Sequence, residues 1–291
     1  MAAPEDDAPP PTRWEWLTRR VRRGAHALVR HARWRLEPGS FGRLDLPYAT
    51  RPAAYELARV TSPLGRVGGH PILEAGKRHN VALACAILES LELGPERPFS
   101  FWRALGPATL ERGFRPGVEI WSGCALPSVG GGLCLLSNAI FEAALRAGMR
   151  VLERHAHTRA LGEASVIDAT VAYPHVDLRV RPRGRAVLRA RVTQDGLVVA
   201  FEGDEAATPI TLQMNVEATH DPLRRRVRLV RRFEREGREE LVLDEPKALL
   251  RDATRTCLDC GAACEAGEGA SRAAGLVRLT RRVEVSARRG A

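Results

Sequence analysis

The chain has 291 residues, of which 44% are hydrophobic, so it can bury a sizeable core, and wholesale disorder is excluded. Its formal net charge is +10, and only two of its 45 basic residues are lysines. A GC-rich genome is the simpler explanation of this arginine bias, and attraction to an anionic surface or substrate is the functional one. Aromatic residues make up 5%, and no nucleic-acid-binding motif is present, so nucleic acid is not expected as a partner.

The first 40 residues indicate a disordered leader followed by a basic helix. Residues 1–12 are acidic and proline-rich, unlike a secretory signal, and no apolar run approaches membrane-spanning length, which predicts a cytoplasmic protein. Residues 13–36 combine arginines with an apolar stripe, formed by Trp14, Leu17, Val21, Ala25 and Leu28. This pattern predicts a helix lying on an anionic membrane surface; a basic helix packed on its own domain is the alternative.

A second helix is predicted over residues 72–93, before Gly94 and Pro95. Its apolar face contains Val81, Ala84, Cys85 and Leu88. Cys85 lies among alanine, leucine and isoleucine, which predicts a buried and inert thiol. Residues 117–126 then indicate a strand or hairpin leading into a run of three glycines.

The centre of the chain combines a glycine turn, a cysteine, two histidines and an aspartate. Cys134 follows the turn and precedes a helix predicted over residues 136–147, which Gly148 ends. The next strand, predicted over residues 149–158, places His155 and His157 on one face. A further strand, predicted over residues 166–173, carries Asp168.

These residue types suit nucleophilic catalysis. A helix N-terminus and a nearby imidazole both lower the pKa of a thiol, and a carboxylate can orient that imidazole. We therefore predict Cys134 as nucleophile, His157 as general base with His155 as second choice, and Asp168 as the orienting carboxylate. Papain-like proteases and transglutaminases have the same order of elements, which is an analogy of order alone. The backbone N–H groups of Gly130, Gly131 and Gly132 are candidate oxyanion donors.

Several motifs in fixed order closely resemble the VanW family. They are G-G-G-L-C-x-L-S-N, E-R-H-x-H, D-A-T-V and D-L-R-V, within a similarity running from about Phe99 to Arg181. The resemblance implies a peptide-like or cell-wall-precursor small molecule as partner, with Ser137 and Asn138 joining the three glycines as substrate-binding candidates. One position departs from the family, because Leu135 stands where the family usually has glutamine.

Three functions remain open from the sequence. The first is a cysteine-dependent acyl-transfer or amide-hydrolysing enzyme that requires no cofactor. The second is a non-catalytic module of the same fold that binds the peptide or precursor, which Leu135 slightly favours. The third uses Cys134 and the histidines as ligands of zinc or copper.

The C-terminal region has a predicted hairpin turning at Glu236 and Gly237, followed by a cysteine-rich tail. Cys257, Cys260 and Cys264 have the C-x2-C spacing of zinc or iron ligands, although a closed zinc site needs four ligands. An unmetallated thiol cluster is the default, and bound zinc or iron is the alternative.

The predicted fold is α+β, with a central antiparallel sheet from about residue 118 onward and the cysteine-bearing helix packed on it. Three regions are expected: residues 1–40 as leader and basic helix, residues 41–205 as the VanW-like core domain, and residues 206–291 as an arginine-rich hairpin with the cysteine-containing tail.

Overall fold

The structure, a computed structural model, describes residues 25, 28–32, 34, 47–65, 71–121, 124–157, 159–161, 167–221, 224–250 and 255–256. It is a mixed α+β fold with mostly antiparallel sheets and few helices, which confirms the predicted class.

The helices of the core precede and follow the glycine turn. They are α1 (Pro71–Leu88), α2 (Phe101–Leu105) and α3 (Leu133–Arg146), and Leu110–Arg112 form a turn of 3-10 helix. The predicted apolar face of α1 is buried, and burial raises the pKa of the Cys85 thiol to about 12, as expected for an inert cysteine. The prediction that α1 reaches residue 93 is wrong. Ser90 adopts a positive φ of 63° and its N–H binds the carbonyl of Leu188, so the chain turns into a sheet.

Within the described ranges, the strands form four small sheets. In chain order they are β1 (Tyr55–Ser62), β2 (Leu91–Leu93), β3 (Phe99–Ser100), β4 (Pro116–Trp121), β5 (Cys124–Val129), β6 (Arg150–Glu153), β7 (Arg159–Leu161), β8 (Arg179–Arg181), β9 (Ala186–Val192), β10 (Leu197–Gly203), β11 (Ile210–Ala218), β12 (Arg224–Phe233), β13 (Arg238–Leu250) and β14 (Arg255–Thr256).

The main core lies between the sheet β1-β10-β9-β2 and two helices. Helix α1 contacts β9, and α3 contacts β1 and β10. Large side chains fill the space between these layers, among them Leu88, Phe141, Leu188 and Phe201, all with 1% or less exposure. Each fully buried side chain of this size contributes about 1.5–3 kcal/mol, so this packing holds α1 and α3 against the sheet.

The other sheets confirm some predicted pairings and correct one. The hairpin β12–β13 turns at Glu236 and Gly237 as predicted, within the sheet β11-β12-β13-β7. The central antiparallel sheet predicted from about residue 118 onward does not form as one sheet, because the described strands after that residue are divided among all four sheets. Strands β9 and β10 form a hairpin, but β8 pairs with β3 and β6 instead of β9.

The two strands predicted for the histidines and the aspartate are also wrong. Strand β6 ends at Glu153, and residues 154–157 and 168–171 are irregular. These two segments bind each other through single contacts in place of a ladder. The Thr170 N–H donates to the His155 carbonyl, and the His157 N–H donates to the Asp168 carboxylate. Alternation of polar and apolar residues therefore reflects two facing loops here.

The described part of the predicted N-terminal helix is helical and contacts the core. Arg30 is 9% exposed and donates to the Glu153 carboxylate and the His175 carbonyl, whereas Leu28 and Val29 are exposed. Most of residues 1–40 lie outside the described residues, so contact with a membrane surface stays a prediction. In the described part of the chain, no helix is both long enough and apolar enough to span a bilayer.

Three glycines allow backbones to approach closely just before Cys134. A Cβ on Gly76 would lie 1.9 Å from the Pro116 carbonyl oxygen, and one on Gly131 would lie 2.4 Å from the Gly117 carbonyl carbon. Asn80, buried in α1, joins these backbones by donating to the carbonyls of Arg115 and Gly131. The glycine turn is thereby fixed against both α1 and β4.

This close approach predicts that Gly131→Ala destabilises the fold by about 2–3 kcal/mol, because the contacting atoms are backbone and cannot rotate away. Gly94→Ala is the matched control, since a Cβ there meets nothing within 4 Å. Urea unfolding measures both free energies. Equal stability of the two variants would contradict the close packing of the turn.

Candidate functional site

Cys134 lies in the first turn of α3. Gly132 precedes the helix with a φ of 102°, a left-handed conformation that glycine adopts without strain. The thiol is free and partly exposed, and its Sγ lies 3.7 Å from Thr170 Oγ1 and 3.9 Å from the Val171 carbonyl oxygen. The first turn of a helix exposes N–H groups that favour a thiolate.

His157 connects this thiol to Asp168. Its Nδ1 lies 2.8 Å from Asp168 Oδ2, and its backbone N–H donates to the same oxygen at 2.8 Å. The ring is also coupled electrostatically to the Cys134 thiol, since each group shifts the pKa of the other. The structure therefore brings together the three residues that sequence reasoning selected, although their catalytic role stays a prediction.

The charges of the cluster favour a thiolate and an imidazolium. Burial raises the pKa of Cys134, but the interactions with His157, Val171 and Thr170 outweigh it and bring that pKa below its ordinary value. Burial lowers the pKa of His157, but Asp168 and Cys134 raise it to about 9. Both shifts favour a proton on the imidazole over a proton on the thiol.

Asp168 has no exposed surface, yet it is ionised. Burial raises its pKa, but the hydrogen bonds from His157 and Lys247 outweigh this and hold the pKa well below the usual range. A buried carboxylate remains charged only when charged or polar donors surround it. Here Oδ1 accepts from Arg154 and Lys247, and Oδ2 accepts from His157.

Arg154, Glu245 and Lys247 are site residues that sequence reasoning missed. Arg154 donates to the Asp168 carbonyl at 2.7 Å and to both oxygens of Glu245, and Lys247 Nζ lies 3.4 Å from Glu245. One signal was available in the sequence. Lys247 is one of only two lysines in an arginine-rich chain, and it shares a strand face with Glu245 and the buried Leu243.

The other predicted site residues have different surroundings. Ser137 is fully buried and donates to the Ala169 carbonyl, and Asn138 Oδ1 accepts from the Ala169 N–H at 2.7 Å. These side chains hold the segment that carries Asp168, and a substrate contact for them stays a prediction. His155 is more exposed, and its Nε2 lies 3.0 Å from Glu153 Oε1. The predicted strand that would have aimed it at Cys134 is absent.

Some backbone N–H groups in and after the glycine turn are hydrogen-bonded, and others are not. Those of Gly130 and Gly131 donate to the carbonyls of Arg115 and Ser128, so the turn itself uses them. Within the described residues, the N–H groups of Gly132 and Cys134 have no hydrogen-bond partner. Oxyanion binding by the turn stays a prediction, for which Gly132 retains an unused N–H group whereas Gly130 and Gly131 do not.

Metal binding was predicted at two places. Cys257, Cys260 and Cys264 lie outside the described residues, so zinc or iron there stays a prediction. Across the part of the chain that the structure describes, no group of three or more His, Cys, Asp or Glu side chains is arranged to hold a metal ion.

Comparisons with known proteins agree with the motifs. Residues 76–201 match the family model described as VanW like protein. An uncharacterized protein YoaR from Bacillus subtilis is 32% identical over 35% of this chain and 34% of its own length. The vancomycin B-type resistance protein VanW from Enterococcus faecalis is 28% identical over 43% of this chain and 47% of its own. The chain thus spans between a third and a half of the relatives it matches. No solved structure matches it.

The first prediction from this geometry is that Cys134 reacts as a thiolate. Its iodoacetamide alkylation should have a pH midpoint below the free-thiol value of about 8.5, and His157→Ala should slow it about tenfold at pH 7. Asp168→Asn should slow it less, because the carboxylate only orients and charges the imidazole. A wild-type midpoint at or above 8.5, or an unchanged rate in folded His157→Ala, would contradict the pair.

The second prediction concerns acid stability. Because the folded pKa of Asp168 is lowered, its stabilisation is present above the unfolded pKa of about 3.9 and is lost as pH falls toward the folded value. The free energy of unfolding should fall about 1 kcal/mol further between pH 5 and 3 in the wild type than in Asp168→Asn. The exposed Glu205→Gln serves as control in urea titrations at both pH values, and it should retain the wild-type loss.

Proposed function

Because residues 76–201 match the VanW family model and contain Cys134, His157 and Asp168, we propose that the chain is a cysteine-dependent acyl-transfer or amide-hydrolysing enzyme. The observation that carries this proposal is one imidazole that is hydrogen-bonded to a buried carboxylate and electrostatically coupled to a thiol in the first turn of a helix. Burial causes neither pKa shift. It raises the pKa of Cys134 and lowers the pKa of His157, and the net shifts have the opposite directions.

Each residue has a definite part in the proposed reaction. The Cys134 thiolate attacks a carbonyl carbon, an S–C bond forms, and the carbonyl π electrons move to oxygen. The oxyanion then collapses, the C–N bond breaks, and the imidazolium of His157 protonates the leaving amine. A water or acceptor amine, deprotonated by His157, attacks the thioester and releases Cys134 as a thiolate. Asp168 remains ionised throughout and holds the imidazole.

The unpaired N–H groups of Gly132 and Cys134 support this reaction. An oxyanion develops beside the nucleophile, and backbone donors already fixed in place stabilise it without reorganisation. Gly132 belongs to the turn that Gly117 and Asn80 hold in position. Cysteine at a helix start, then histidine and then aspartate, is also the order in papain-like proteases and transglutaminases, which supports the reaction class by analogy.

A peptide-like or cell-wall-precursor substrate is the proposed substrate class. One relative is named a vancomycin B-type resistance protein, which supports this proposal. The proposed membrane contact of residues 13–36 would place the protein in the cytoplasm against the membrane, near membrane-associated precursors. Zinc or iron at the C-terminal cysteines remains a separate proposal without a part in this reaction.

A non-catalytic binding module is the second candidate, and Leu135 favours it. Its side chain packs against the hydrophobic core cluster and cannot donate a hydrogen bond, unlike the glutamine usual in the family. In that case the same residues would bind a peptide or precursor without turnover.

The decisive experiment is trapping of an acyl-enzyme with thioesters of short cell-wall-precursor peptides. Intact-mass spectrometry should show one acyl group on Cys134 that hydroxylamine removes, and His157→Ala should slow its formation about 10²-fold. Cys134→Ala should abolish the adduct, and Cys85→Ala is the matched control because that thiol is buried and inert. Peptide binding by calorimetry without any adduct would support the binding module and contradict the enzyme.

A further inference from the structure

The chain's two lysines both lie buried beside the candidate site. Lys247 is 1% exposed and contacts Asp168, whereas Lys77 is 6% exposed and packs under Gly132. All other basic residues are arginines. A compact ammonium on a flexible stem reaches a single carboxylate oxygen in a closed space, where a planar guanidinium requires more room. Lys247 also lies outside residues 76–201, so the family match does not account for it.

Lys247 completes a buried cluster of four charges. Its ammonium bonds to Asp168 Oδ1 and lies 3.4 Å from Glu245 Oε1, and Arg154 bridges the same two carboxylates. The side chains of Asp168, Lys247, Arg154 and Glu245 are 0%, 1%, 11% and 21% exposed. Two cations and two carboxylates balance, so these four side chains carry no net charge.

The two oxygens of Asp168 have separate partners. Both permanent cations bind Oδ1, and His157 binds Oδ2 through its ring and its backbone N–H. Cations on Oδ1 therefore fix the orientation of the carboxylate and leave Oδ2 facing the imidazole. They also prevent the buried acid from taking up a proton.

We propose that Lys247 is a positioning residue that acts on Cys134 through Asp168 and His157. It holds the carboxylate in one orientation and cancels the negative charge that would otherwise disfavour a thiolate nearby. The inference rests on the proposed function for its biological meaning. The inference concerns the effect of the Lys247 charge on the Cys134 thiolate, so it can be tested without a substrate.

The direction of each effect follows from the charge balance. Removing Lys247 leaves the cluster with one excess negative charge, which disfavours the Cys134 thiolate. Removing the charge of Glu245 leaves one excess positive charge, which favours the thiolate. Among the described residues, further charged groups near the site are Lys77 paired with Glu74, and Glu153 paired with Arg30, Arg179 and His155. They are the same in every variant.

The test measures the iodoacetamide alkylation rate of Cys134 against pH in Lys247→Met, Glu245→Gln and the double variant. At pH 7 we expect the rate to fall about tenfold in Lys247→Met, to rise in Glu245→Gln, and to return toward wild type in the double variant. Arg226→Met is the matched control. It removes an exposed cation paired with Asp244 on the same sheet and should leave the rate unchanged.

Alkylation rates that change in opposite directions in the two single variants would support the charge role. Simple loss of packing would lower the rate in both variants or leave it unchanged. Shifts of the same sign, or none larger than in Arg226→Met, would overturn it. If Lys247→Met does not fold, the sign of the Glu245→Gln shift decides alone. The proposed function is tested by formation of the acyl-enzyme. This inference is tested by the differences in alkylation rate between variants, so either can fail without the other.

Discussion

The ionised carboxylate of Asp168 is the interaction on which the candidate site depends. It is fully buried, and a buried charge is tolerated only with close donors on both oxygens. Those donors come from His157 and Arg154 on one loop and from Lys247 on β13, 79 residues away in the chain. Satisfying one carboxylate thus ties a loop of the core to the C-terminal sheet. The same pairing keeps the imidazole beside the thiol.

The thiol is positioned by a different constraint, the close approach of backbones. Gly131 lies against Gly117, and Asn80 of α1 binds the carbonyls on either side of that contact. The two halves of the site meet at α3, where Ser137 and Asn138 bind Ala169, the residue after Asp168. These polar side chains therefore set the distance between helix α3, which carries Cys134, and the loop that carries Asp168.

The region that matches the family model does not contain the whole candidate site. The matched region contains Cys134, His157 and Asp168, but Glu245 and Lys247 lie beyond its last residue, 201. Arg231 on β12 also reaches back, donating to the carbonyl of Met149 at 2.8 Å. Strands β12 and β13, which follow the matched region, thus contact it and contribute charge to the candidate site. An assay on residues 76–201 alone would lack this contribution.

Local patterns in the sequence determined the helix after the glycine turn, the apolar face of α1, the β12–β13 hairpin and the choice of Cys134, His157 and Asp168. These features depend on glycine conformation, helical periodicity and side-chain chemistry over a few residues. The sequence did not determine the backbone around the histidines, because alternating residues suit a strand and a pair of facing loops equally well. It also left Arg154, Glu245 and Lys247 unassigned. Their pairing spans 79 and 91 residues, and only the packing of β13 against the core decides which buried charges meet.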